Sequence, residues 1–143
     1  MPMDFSRLQE LSNSLNNKSD ELNESLKTFE AMIASFRLGV EAWVRPSLER
    51  TMDDQDGTEY TTTLGYSKAT GNWCLTLGYW SSFNEEGNYS PLNQASRDLR
   101  IKAVEQLPKL LKALESAADE AVQEVEKARK NMRNIIDGAR EGV

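Results

Sequence analysis

The stretch Glu59-Tyr60-Thr61-Thr62-Thr63-Leu64-Gly65-Tyr66, followed by Asn72-Trp73-Cys74-Leu75-Thr76-Leu77-Gly78-Tyr79, decides the fold. In the first half Tyr60, Thr62, Leu64 and Tyr66 alternate with Glu59, Thr61, Thr63 and Gly65. In the second, Trp73, Leu75, Leu77 and Tyr79 alternate with Asn72, Cys74, Thr76 and Gly78. A period of two with one apolar face is the pattern of a half-covered strand. Ala69-Thr70-Gly71 between the halves offers a short loop with a glycine for a positive φ, so the two runs predict an antiparallel hairpin. Two strands are marginal in water. The hairpin therefore needs helices to lean on, a third strand drawn from about 44–52, or a second subunit.

On the N-terminal side, Leu8, Leu15, Leu22, Phe29 and Phe36 recur every seven residues, and no glycine intervenes before Gly39. Leu11, then Leu26, Ile33 and Val40, fill the other half of the seam, and the stripe drifts as a 3.6-residue period requires. This predicts a helix over about 4–43. Its early turns are weakened by Asn13, Ser14, Asn16, Asn17 and Ser19, whose short polar side chains compete for backbone hydrogen bonds. The wide stripe, which includes Phe29, Met32, Ile33 and Phe36, is more than one partner helix covers.

On the C-terminal side, Ser90-Pro91 predicts a helix start, because serine caps free amides and proline is harmless at the first helical position. The helix is expected over about 91–137, kinked or restarted near Pro108 and stopped at Gly138. Val104, Leu111, Ala118, Val125 and Met132 form one heptad position, and Leu107, Leu114, Ala121, Ala128 and Ile135 the other. Such a seam is suited to one close helix partner. The expected architecture is a single α+β domain spanning 1–143. Two long antiparallel helices, 4–43 and 91–137, flank a small antiparallel β-hairpin or meander at about 58–80. The helix, hairpin, helix order resembles the layout of prefoldin-type chaperone subunits, a likeness of architecture with no motif shared.

Composition narrows the function classes. The 143 residues are enough for one core. A formal charge of -6 argues against direct nucleic-acid binding, which needs clustered Lys and Arg. No run approaches 18 apolar residues, and Met1-Pro2-Met3-Asp4-Phe5-Ser6 lacks a basic and an apolar targeting region, so the expectation is a cytoplasmic protein with no membrane partner. The chain has no histidine, which removes the commonest general base and metal ligand. Its lone cysteine, Cys74, reads as a small filler opposite Trp73 and Leu75. Asp53-Asp54-Gln55-Asp56-Gly57 mimics part of a calcium loop, but Met52 and Thr63 stand where the first and twelfth ligands belong, so an acidic turn is expected. Glu85-Glu86 and Asp119-Glu120 read as exposed charge. Neither an enzyme nor a cofactor or metal site is expected.

Two binding readings remain. The first is a non-enzymatic protein-interaction module, self-associating through its helices into a dimer or higher oligomer. A protein partner, for which a small acidic inhibitor or adaptor is one version, would meet the hairpin and the Trp80 to Tyr89 loop. The second is a site for a small anion or nucleotide. Arg97 and Arg100, three apart on one helix face beside Lys102, would hold phosphate, and the aromatics Tyr66, Trp73, Tyr79, Trp80 and Tyr89 would stack on a base. Packing is the plainer role for those aromatics and for Phe83.

Overall fold

A computed structural model describes residues 3–83 and 87–142. Helix α1 (Ser6–Ser35) leads into strands β1 (Ala42–Trp43), β2 (Glu49–Met52), β3 (Glu59–Ser67), β4 (Cys74–Ser81) and β5 (Asn88–Pro91). A 3-10 turn (Leu92–Gln94) and helix α2 (Arg97–Glu141) complete the chain. The expected hairpin is β3 and β4, with Leu64 opposite Leu77 and Tyr66 opposite Leu75. It gains neighbours on both sides. β5 pairs with β4, and β1 and β2 both pair with β3 along one edge; β2 is the strand expected within 44–52, and β1 lies just before that stretch. Between β1 and β2 residues 44–48 bulge opposite 63 and 64, around a cis Arg45-Pro46 bond. The amides of Val44 and Leu48 still reach the Leu64 and Thr62 carbonyls, each at 2.8 Å. A bulged, proline-bearing edge is a poor template for further strands.

One face of the sheet carries the core. Leu64, Tyr66, Leu75 and Leu77 are buried there with Ala42, Val44 and Leu92, beneath Leu26 and Ile33 of α1 and Ala103, Leu110 and Leu114 of α2. The strand alternation is thus realised as read. α1 lies on β4 and the 3-10 turn, and α2 lies on β1 and β3.

Both helix boundaries differ from the sequence reading. α1 stops at Ser35 instead of about 43, because Arg37 (φ 51°) and Gly39 (φ 62°) turn left-handed and swing the chain into β1. Val40, Ala42 and Val44 continue the apolar pattern because they pack into the same core from loop and strand. Ser90-Pro91 ends β5 and does not start a helix. Pro91 stands opposite Thr76 on an edge strand, where a missing N–H is tolerated. Ser96 is the true cap, its hydroxyl accepting from the Leu99 amide at 3.3 Å. α2 then passes through Pro108 and Gly138 without restarting. Pro108 sits on the exposed face, where water can satisfy the carbonyl its ring deprives of a partner.

The helices also run the same way, not antiparallel. At one end Arg100 donates to Ser19 at 3.3 Å; at the other, residues 37, 38 and 40, just past α1, share a hollow with Ala118, Ala121, Val122 and Val125. Parallel helices of 30 and 45 residues cannot match at both ends. Accordingly α1 overhangs with residues 3–18 all exposed, and α2 overhangs oppositely with 127–142 all exposed.

Glu30 fastens α1 to the sheet, its carboxylate accepting from the Leu75 amide at 2.8 Å near the end of β5. Glu30→Ala strands that amide and is expected to cost about 1–3 kcal/mol in urea unfolding, with Glu30→Gln costing less because it keeps an acceptor. Tyr66 stacks on Trp73 at 5.5 Å, and burial, then the charges of Glu30 and Cys74, push its phenol above the usual 10.0. The unfolded chain therefore releases this proton first as pH rises. Tyr66 contributes its full stability below about pH 10, and that contribution falls as pH climbs from there towards the folded value. Alkaline unfolding curves of the chain and of Tyr66→Phe are expected to diverge only in that window.

Candidate functional site

Antiparallel pairing places partners on one face, so the face away from the helices can be read from the register. Trp43 stands beside Gly65, Tyr89 beside Gly78, and Trp80 beside Thr61. The three rings form a continuous strip: Tyr89 lies 5.7 Å from Trp43 at 44° and 5.7 Å from Trp80 at 88°. Glycines make room for it. A Cβ on Gly65 would overlap the Trp43 ring and come within 2.8 Å of the Ala42 carbonyl. A Cβ on Gly87 would press on the Trp80 ring at 2.5 to 2.8 Å, whereas one on Gly78 would meet the two indoles at 3.1 to 3.3 Å. The Trp43 indole N–H donates to Glu41. Beside the strip lies a hollow of about 290 Å³ lined by Trp43, Val44, Arg45, Ser47, Thr63 and Trp80.

The candidate residues divide between the two faces. Tyr66 is buried and Trp73 half-buried on the helix side; Tyr79 is also on that side and accepts from the Ser90 hydroxyl at 3.2 Å. Trp80 and Tyr89 are on the outer face, 37% and 39% exposed, and Phe83, read as a packing residue, is 90% exposed. Arg97 is exposed in the first turn of α2. Arg100 is half-buried between the helices and turned to Ser19, with its Nε buried and without a hydrogen-bond partner among the described residues. The arginines and the outer aromatics are thus not brought together. Of the Trp80 to Tyr89 loop, Glu85 and Glu86 lie outside the described residues. The acidic stretch is the turn joining β2 to β3, as read. Asp53 and Asp56 accept from the amides of Gln55 (2.7 Å) and Thr58 (2.8 Å), which holds the Asp56 carboxyl below its usual range. Cys74 lies 3.4 Å from the Thr70 hydroxyl and 3.5 Å from that of Thr76.

The sequence reading missed Trp43 by placing it in the last turn of α1. The available signal was Gly65 and Gly78, small residues at polar-face positions of two long strands, which leave a slot only a large ring from a neighbouring strand can fill.

A second surface is the free half of α2. Of the expected seam only Leu107 and Leu114 turn into the core, beside Ala103 and Leu110, while Val104 and Leu111 are exposed; beyond Leu114 the apolar residues face outward, with Val122, Val125, Met132, Ile135 and Ile136 65%, 68%, 52%, 62% and 44% exposed. At its root is a hollow of about 420 Å³ between residues 37–40 and Ala118, Ala121, Val122, Val125 and Glu126. Arg129 forks onto Glu126 at 2.8 and 3.0 Å, holding that carboxyl below its usual range.

No protein family, curated protein or solved structure matches the chain in comparisons of sequence and of fold, and the prefoldin-type layout stays a likeness of element order.

The glycine slots can be tested separately from the rest of the sheet. Gly65→Ala is expected to displace Trp43 and β1 and to lower stability by about 1–3 kcal/mol, with a red shift of tryptophan emission. Gly78→Ala, whose neighbours need give only a few tenths of an ångström, is expected to cost clearly less.

Proposed function

We propose that this chain is a non-enzymatic protein-interaction module. It self-associates through the free half of α2 and leaves the Trp43, Tyr89 and Trp80 strip open for a protein partner. The observation that carries the reading is the apolar stripe of α2, which continues from Val122 to Ile136 after the chain's own core has ended. An isolated helix end is marginal in water, and such a stripe is stable when packed on another helix. Five side chains from each of two copies, already partly shielded, supply on the order of 10 kcal/mol on burial. The cost of association is about 4–15 kcal/mol, so the assembly is reversible and concentration-dependent. Tryptophan and tyrosine are the residues that most often anchor protein partners, which supports the role given to the outer strip. A small-anion site at Arg97 and Arg100 lacks comparable support, since the exposed aromatics are on the opposite side of the sheet. Among the described residues no helix is long and apolar enough to cross a membrane. A cytoplasmic setting is part of the proposal and rests on the lone, unpaired Cys74.

Light scattering across a dilution series tests the reading. The chain is expected to show the mass of a dimer or larger species at tens of micromolar, and Val125→Asp with Ile135→Asp to shift it to monomer with the β-sheet signal retained. A monomer at every concentration would overturn it. Acrylamide quenching of tryptophan is expected to stay constant across the series, because assembly leaves the outer strip uncovered; protection on concentration would move the interface to the sheet.

A further inference from the structure

We infer that the occupant of the α2 surface is the same surface of a second copy, running antiparallel about a two-fold axis between Glu126 and Lys127. The inference rests on the self-association just proposed and adds its direction and register. Charge sets the direction. Residues 119–126 contain Asp119, Glu120, Glu124 and Glu126 and no base, whereas 127–133 contain Lys127, Arg129, Lys130 and Arg133 and no acid. Parallel, in-register pairing would stack acid on acid and base on base. Antiparallel pairing lays each block on its opposite within a Debye length.

Side-chain size sets the register. With positions facing each other when their numbers sum to 253, Ala118 meets Ile135, Ala121 meets Met132 and Val125 meets Ala128, each small residue opposite a larger one. In the same register Ile135 and Met132 of the second copy arrive at the hollow lined by Leu38, Val40, Ala118, Ala121 and Val122. Asp119 and Arg133, fourteen residues apart on one flank of the stripe, come within one residue of facing each other across the pair. The free end of α1 is a worse occupant. Its stretch 6–18 carries only Arg7, Glu10 and Lys18, and Arg7 is already engaged by Glu10 at 3.3 Å.

Spin labels on single cysteines in a Cys74→Ser background read the arrangement directly. At Glu126→Cys, on the flank of the stripe and one residue from its counterpart across the axis, the two labels are expected roughly 10 to 15 Å apart, about one helix-packing distance plus the label arms. At Asp137→Cys they are expected about 30 Å apart, because position 137 faces position 116, an axial offset of 21 residues. Short distances at both sites would establish parallel pairing, and long distances at both would establish contact with another surface; either overturns the inference while leaving self-association standing. A monomer would sink both. Asp119→Lys or Arg133→Glu alone is expected to weaken dimerisation about threefold to tenfold at low salt, and the double variant to restore it. Failure of that restoration would also overturn the register.

Discussion

The inner face of the sheet is large enough for only part of each helix, the second half of α1 and the first half of α2, and the rest of the molecule follows from that limit. The sheet is four strand positions wide, roughly 15–20 Å, and its longest strand, β3, has 9 residues, about 30 Å. The buried positions of α2 run from Ala103 to Leu114, about 17 Å of helix, and those of α1 from Leu26 to Ile33. Helices of about 45 and 67 Å laid on so small a sheet must overhang it. Their shared direction sends the two overhangs out at opposite ends.

The opposite face is held by a different device. With no helix above it, that face is shielded by rings from strands β1, β4 and β5 lying over glycines. Gly65 has the least tolerance, since a methyl group there would meet backbone as well as indole. The same packing keeps Trp80 and Tyr89 more than a third exposed and fixed in orientation by edge contacts, a rigid aromatic surface that loses little entropy when a partner covers it.

Much of this was legible in the sequence because it depends on local periodicity. The alternation in 59–66 and 72–79 named both central strands and their buried face, the apolar repeats named both helices, and Asp53 to Gly57 read correctly as a turn. The boundaries failed for a shared reason: an apolar pattern records burial, not conformation. Val40, half-buried, and Ala42, buried, pack as helix residues would but reach the core from a loop and a strand. Ser90-Pro91 satisfies the rules for a helix start and equally those for the end of an edge strand; only the pairing of Leu77 with Ser90 decides. The relative direction of the helices and the separation of Arg100 from Trp80 depend on which sheet edge each element joins, and no local spacing encodes that.

The free end of α2 is a special case, because its sequence carries information the isolated chain does not use. Charge reverses sign near residue 127 and side-chain size increases across the same point, so this stretch is its own complement when turned end for end. A helix with scattered charges would be soluble without that order. Opposed overhangs also constrain how copies combine. If the free end of α1 bound the free end of α2 on the next copy, the growing assembly would keep an unused end at each side, and association would continue into an open chain. Pairing α2 with α2 uses one surface twice and closes after two copies. On the pairing proposed above, the antisymmetric tail would give a discrete dimer and not a fibre, with its two sheets carried well apart and their aromatic faces uncovered.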